Sequence, residues 1–212
     1  MNYILFDDFR GNLLPLTYTR PVSEIRIGIL TITEKWEHFF NTKLSFYTEE
    51  YLQQKFSLKT KGDNIWINGS ICPDINLVKA IKSLSNNQCL KHNETLIAYR
   101  SKESVPSDVI VYEGDFIQVS QLWHIFEYND DCIQSDFKLL TEGRTSQLIS
   151  ETNACTKPEN IFIEEGAKVE HAILNASTGP IYIGKNAEIM EGSVIRGSLA
   201  MCENSVIKMG AK

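Results

Sequence analysis

From Ile161 to Lys212 the chain repeats itself with a period of six. Large apolar residues fall at Ile183, Ile189, Ile195, Met201 and Ile207. Ala187, Ser193, Leu199 and Ser205 stand two positions before the last four, and Ile181 before Ile183. The fullest form of the template is glycine or asparagine, a small residue, any residue, then valine or isoleucine. It appears as Gly166-Ala167-Lys168-Val169, Asn186-Ala187-Glu188-Ile189, Gly192-Ser193-Val194-Ile195 and Asn204-Ser205-Val206-Ile207. A helix places apolar residues at a period near 3.6 and an amphipathic strand at a period of two. A period of six requires a short strand, a corner and another short strand. Glycine or asparagine tolerates the positive φ of the corner. The small residue fits where two flat faces meet, and the β-branched residue fills the core. The pattern predicts a β-helix solenoid rather than a run of hairpins. Its register slips near Asn175–Pro180, where Thr178-Gly179-Pro180 reads as an insertion at a corner. Gly210-Ala211-Lys212 opens one more copy of the template. Terminal coils of solenoids are normally capped, so the expectation is a longer natural chain or an end covered by another subunit.

The remaining 160 residues of the 212 allow one further domain of ordinary size. At 42% hydrophobic and 23% charged residues the composition is that of a soluble globular protein. A net charge of −6 argues against a nucleic-acid-binding surface, while leaving room for a local basic pocket. Five scattered cysteines, with no Cys-x-x-Cys, read as reduced thiols of a cytoplasmic protein rather than a disulfide frame or a zinc site. No segment has the apolar length of a membrane span, and the N-terminus lacks the pattern of a signal peptide.

Strands and helices alternate before the solenoid. Strands are predicted at 3–6, 44–47, 64–67, 95–99 and 108–112. Thr31 and Glu34 form a capping box for a helix running to Phe40, Asp74 opens a helix to about Leu84, and Thr48 caps a short helix to Phe56. A further helix starts at Asp130 or Asp131, carries Ile133, Phe137 and Leu140 on one face, and is closed by Gly143. These boundaries give an α/β domain over residues 1–143, a linker over 144–160 and the solenoid over 161–212. Such alternation implies a mostly parallel sheet covered by helices. Ligands then bind beyond the carboxyl ends of the strands, at a switch in strand order. Two stretches qualify, 7–26 and 68–74.

The first stretch gathers Arg10, Arg20 and Arg26 with Asp7, Asp8 and Gly11. Guanidinium groups bind phosphate bidentately, and adjacent carboxylates suit a Mg²⁺ ion carried on a nucleotide. The competing reading pairs these arginines with Asp7, Asp8 and Glu24 on a surface loop. In the second stretch Gly69 permits close approach of a ligand, and Asn68 and Ser70 offer hydrogen bonds to a sugar or a base. The alternative there is a polar turn leading into a helix. Trp36, Trp66 and Trp123 read as core, His171 as a solvent-exposed residue of the first coil, and Glu113-Gly114-Asp115 as carboxylates or a turn.

The stretch Leu14-Pro15-Leu16-Thr17-Tyr18-Thr19-Arg20-Pro21-Val22-Ser23-Glu24-Ile25-Arg26, continuing to Trp36, resembles the sugar-nucleotidyltransferase-like proteins of the Bacteroidetes type. These are relatives of the bifunctional N-acetylglucosamine-1-phosphate uridylyltransferase / glucosamine-1-phosphate acetyltransferase. The resemblance continues through Trp66-Ile67-Asn68-Gly69-Ser70, Gly114-Asp115-Phe116, Trp123-His124-Ile125-Phe126 and the six-residue repeats. It implies a nucleotide-diphospho-sugar-transferase-like, Rossmann-type sheet domain followed by the first coils of a left-handed parallel β-helix. It also implies a homotrimer assembled through the β-helix, with NTP and sugar-1-phosphate as substrates and Mg²⁺ as cofactor. Acetyl transfer from acetyl-CoA would belong to a longer chain. The better-known relatives carry a glycine-rich loop after strand one, then Pro-Lys; here Phe6-Asp7-Asp8-Phe9-Arg10-Gly11 and Pro21-Val22 stand in their places. Arg20 or Arg26 would supply the positive charge and Asp7 or Asp8 the metal-binding carboxylate, with Arg10, Gly11, Asn68, Gly69 and Ser70 around the nucleotide and sugar phosphate. The alternative is a catalytically silent nucleotide-binding or assembly domain attached to a hexapeptide acyltransferase. Acyl transfer alone, with His171 as the local candidate, is a third reading.

Overall fold

The computed structural model describes residues 1–102 and 104–212. They divide into two compact units, 1–26 with 30–127 and 27–29 with 128–212.

In the first unit, local chemistry starts the helices where the sequence predicts. Thr31 caps α1 (Ile32–Phe40) by accepting from Glu34 N, while the Glu34 carboxylate accepts from Thr31 N, so both arms of the box are made. Asp74 caps α2 (Ile75–Lys82) through Asn76 N and Leu77 N. Six strands form one sheet: β1 (Asn2–Phe6), β2 (Ser45–Tyr47), β3 (Asn64–Asn68), β4 (Gln88–His92), β5 (Thr95–Arg100) and β6 (Asp108–Val111). Their order is β2-β1-β3-β5-β4-β6. Pairing is parallel at β1–β2, β1–β3 and β4–β6 but antiparallel at β3–β5 and β4–β5. The sheet is therefore mixed, where a mostly parallel one was expected. The reason is β4, which the sequence reading missed: Gln88-Cys89-Leu90-Lys91-His92 is short and weakly patterned, and it returns through Asn93 (φ 51) as a hairpin. Trp36 is fully buried and its Nε1 donates to Ile71 O, tying α1 to the segment that follows β3.

Two other expectations are corrected. Thr48 caps no helix; its hydroxyl is taken by Asp7, and the residues after it form only a 3-10 turn, Glu50–Leu52. Trp123, expected in the core, is 61% exposed, because the short α3 (His124–Glu127) that follows it has no buried residue.

In the second unit, α4 (Asn129–Thr141) precedes nine short strands. They are β7 (Ala154–Thr156), β8 (Ile161–Ile163), β9 (Lys168–Val169), β10 (Ile173–Asn175), β11 (Ile181–Ile183), β12 (Glu188–Ile189), β13 (Val194–Arg196), β14 (Leu199–Met201) and β15 (Val206–Ile207). They form three parallel three-stranded sheets, β13-β10-β7, β14-β11-β8 and β15-β12-β9, which fit successive β-helix coils. Gly166, Asn186, Gly192 and Asn204, the corner residues of the template, all have positive φ. Val169, Ile183, Ile189, Ile195 and Met201 are buried in one apolar cluster. β7 lies within the stretch read as linker, since a polar sequence such as Ala154-Cys155-Thr156 can still pair with β10. The apolar face of α4 packs in this unit: Ile133, Phe137 and Leu140 lie with Phe162 and Tyr182.

Arg144 donates to both oxygens of Glu164, at 2.9 and 2.6 Å, and the Tyr182 hydroxyl donates to the same carboxylate at 2.6 Å. The Arg144 guanidinium, ahead of Tyr182, holds Glu164 below the usual carboxylate range, outweighing burial, which pushes the other way. A lowered folded-state value stabilises the protein above the ordinary value of 4.5, and that stability is lost as pH falls through the lowered value. Glu164→Gln is expected to cost about 1–2 kcal/mol at pH 7, discounted for the half-exposed Arg144. In urea unfolding the gap between the two proteins should shrink on acidification below pH 4.5; a gap independent of pH would refute the assignment.

Candidate functional site

The carboxyl ends of three strands are level. Phe6 of β1 stands opposite Tyr47 of β2 and Asn68 of β3. Asp7, Thr48 and Gly69 come next in each strand, so their contacts follow from register. Asp7 N donates to Tyr47 O at 3.1 Å and Gly69 N to Phe6 O at 2.8 Å. β1 has β2 on one side and β3 on the other, so strand order reverses here, the position where open α/β sheets bind ligands.

The two carboxylates have different surroundings. Asp7 Oδ1 accepts from Val22 N at 2.7 Å, and Oδ2 takes the Thr48 hydroxyl and Arg10 Nη1. Its side chain is 12% exposed. Burial pushes the Asp7 carboxyl above its ordinary value, against the pull of these partners. Asp7 thus ties β1 to β2 and to the 3-10 turn Val22–Glu24. Asp8 is half-exposed; Oδ1 accepts from Phe9 N at 2.9 Å and Oδ2 from Asn68 Nδ2 at 2.8 Å. A carboxylate has about four acceptor positions, so Asp8 keeps free capacity. Phe9 turns the chain between Asp8 and Arg10 at φ 55, a conformation that costs a non-glycine residue about 1–2 kcal/mol.

Asn68 and Ser70 are fully buried. Asn68 Nδ2 donates to Asp8 and to Leu96 O at 2.9 Å, while its Oδ1 accepts from Ser70 N at 3.0 Å and Ser70 Oγ at 2.7 Å. All four hydrogen-bonding positions of the amide are filled. The sequence offers these residues to a base or sugar; in the structure Asn68 bonds Asp8, and Ser70 bonds Asn68. Gly69 sits in a tight place: a Cβ there would lie 3.0 Å from Phe6 O and 3.2 Å from Ser23 Cβ, so its neighbours would have to give by a few tenths of an ångström.

The arginines separate. Arg10 donates to Arg20 O at 3.1 Å and to the Tyr51 hydroxyl at 2.6 Å, besides its bond to Asp7. Arg20 is exposed, and among the described residues its guanidinium has no partner. Arg26 pairs with Glu34 at 3.3 Å, on the first turn of α1. Gly11 is exposed, and a Cβ added there would meet nothing within 4 Å, so its backbone is open to approach. His171 is exposed at a corner with φ 53. Sequence reasoning missed Gln118, whose Nε2 donates to Ser70 Oγ at 3.1 Å; no local motif marks it.

A Mg²⁺ ion carried on nucleotide phosphates needs only one or two protein carboxylates. Asp8 fits that need, whereas Asp7 is already engaged. Among the described residues no group of three or more His, Cys, Asp or Glu side chains could hold a metal alone. No helix among them is long and apolar enough to cross a membrane.

A search of curated proteins gave no match. A family model described as sugar nucleotidyl transferase matches residues 3–145. The matched span carries the in-register strand ends, both carboxylates and the three arginines, and with it the chain belongs to the sugar nucleotidyl transferase family.

Proposed function

We propose that this chain joins a sugar-1-phosphate to a nucleoside triphosphate, giving an NDP-sugar and pyrophosphate. A sugar phosphate oxygen attacks the α-phosphorus in line, and pyrophosphate leaves. Catalysis of such a transfer is mainly positioning and charge stabilisation. The observation that supports the reading best is Asp8, a carboxylate with free acceptor positions held by Phe9 N and Asn68 at the strand-order switch. Asp8 would hold Mg²⁺, which would neutralise charge on the phosphates. Arg20, exposed and unpaired among the described residues, would bind phosphate, and Arg10 would do so on leaving Tyr51. The second unit is read as coils of a left-handed β-helix that assembles as a homotrimer. The three parallel sheets and the positive-φ corners support the coil geometry.

A second reading, a domain that binds nucleotide without turnover, is favoured by the commitment of Arg26 to Glu34 and of Arg10 to Asp7 and Tyr51. Pyrophosphate release with Mg²⁺, a panel of NTPs and a panel of sugar-1-phosphates tests both. Release with one pair is expected, reduced about 10²-fold in Arg20→Ala. Binding without release with any pair would favour the second reading.

A further inference from the structure

Hydrogen-bond polarity runs outward from Asp8 along buried groups and ends at Gln118. The carboxylate of Asp8 and the carbonyl of Leu96 can only accept, so the Asn68 group facing them is Nδ2. The backbone N–H of Ser70 can only donate, which places Oδ1 on its side. The Ser70 hydroxyl lies 2.7 Å from that same Oδ1 and spends its one proton there. Ser70 Oγ must therefore accept from its other neighbour, and the Gln118 group at 3.1 Å is Nε2. No step leaves a choice of amide orientation. The consequence is that Oε1 of Gln118 is the end left over. Among the described residues it has no hydrogen-bond partner, and it is not sealed from solvent. The backbone around it is fixed from two sides. Cys72 N donates to Ile117 O at 2.9 Å, Val119 N donates to Ser70 O at 2.7 Å, and His124 Nδ1 lies 3.0 Å from Gln118 O.

A carbonyl acceptor held in one orientation on a fixed backbone, and coupled through buried groups to Asp8, is suited to reading a neutral donor on a ligand. We propose that Gln118 is a specificity-determining residue whose Oε1 accepts from an N–H or O–H group of the substrate, of a nucleobase or of a sugar. This rests on the sugar-nucleotide reading of the same site. A site built to bond a donor rejects analogues that lack it. A phosphate, which offers acceptors, is excluded as the group Gln118 contacts.

The test compares the wild type with Gln118→Met and Ser70→Ala. Pyrophosphate-release kinetics and equilibrium binding are measured with ATP, GTP, CTP, UTP, hexose 1-phosphates and their deoxy analogues. Gln118→Met is expected to raise KM and Kd for one substrate about ten-fold, with kcat within about two-fold. If the donor is on the base, preference among the triphosphates falls and sugar phosphate binding is unchanged. If it is on the sugar, one deoxy analogue binds the variant as well as its parent does, while the wild type still separates them. Ser70→Ala keeps the Gln118 side chain but removes the acceptor that orients it, and should weaken the same discrimination about three-fold. Unchanged discrimination in a folded Gln118→Met that still turns over overturns the inference and leaves the nucleotidyl-transfer reading standing. So does a fall in kcat at constant KM. A wild type that neither binds nor turns over any pair overturns both.

Discussion

Asp8→Asn is expected to lower pyrophosphate release by about 10²–10³-fold at a cost in stability of about 1 kcal/mol or less. Asparagine keeps the shape of the side chain but can accept at only one of the two places where Asp8 does; with its carbonyl toward Asn68 the part-buried donor stays paired and the exposed Phe9 N is left to water. The variant loses a negative charge and the free acceptor positions, which are the properties a nucleotide-borne cation needs. Asp7→Asn should behave in the opposite way. Asp7 is engaged by Val22 N, the Thr48 hydroxyl and Arg10. An amide cannot accept at both ends, so one of these donors loses its partner, at a cost of about 1–3 kcal/mol. Because burial raises the Asp7 carboxyl, its ionic form is penalised in the folded protein. Stability linked to this group is present below the ordinary value of 3.8 and declines as pH rises through the raised one. Initial rates and melting curves on the two variants separate the roles. An Asp8→Asn protein that keeps a third of the wild-type rate would refute the assignment, as would an Asp7→Asn protein of unchanged stability carrying the larger loss of activity.

The adjacent aspartates show where sequence reading stops. Both were legible as candidates, because Asp-Asp after a short buried strand at the chain's start points to a strand end. Which one stays open was not legible, because the answer lies in Val22, Thr48 and Asn68, at separations of 15, 41 and 60 residues. Thr48 shows the same limit: its position before Glu49-Glu50 looks like a helix cap, but register places it opposite Asp7 and the carboxylate wins the hydroxyl. Elements specified by contacts within four residues were read well. The capping box of Thr31 and Glu34, the Asp74 cap and the positive-φ corners at Gly166, Asn186, Gly192 and Asn204 are of this kind. Gln118 was invisible, since its part depends on a polarity passed through Ser70 and Asn68 from Asp8.

Gly28→Ala is expected to destabilise the protein by about 3 kcal/mol or more, a large structural effect for a single methyl group. Two costs add at this position. Its φ of +79° lies in the left-handed region, where alanine costs about 1–2 kcal/mol. A Cβ would also stand 2.6 Å from Asp136 Oδ2 and 2.7 and 2.8 Å from the carbonyl group of Cys132, both on α4. The backbone of a helix cannot yield as the end of a flexible side chain can. Neighbouring bonds hold the segment in place: Gly28 N donates to Asn129 Oδ1 and Ile29 N to Asp136 Oδ2, each at 2.9 Å. Gly143 supplies the control. Its φ is +71°, but nothing lies within 4 Å of the corresponding Cβ position. Gly143→Ala should therefore show the conformational cost alone, about 1 kcal/mol. Urea unfolding at pH 7 measures both, and the difference between the two variants isolates the steric term. Equal losses in the two proteins would mean that the segment Ile27–Ile29 moves away from α4 at little cost, and that crowding at Gly28 contributes nothing to stability.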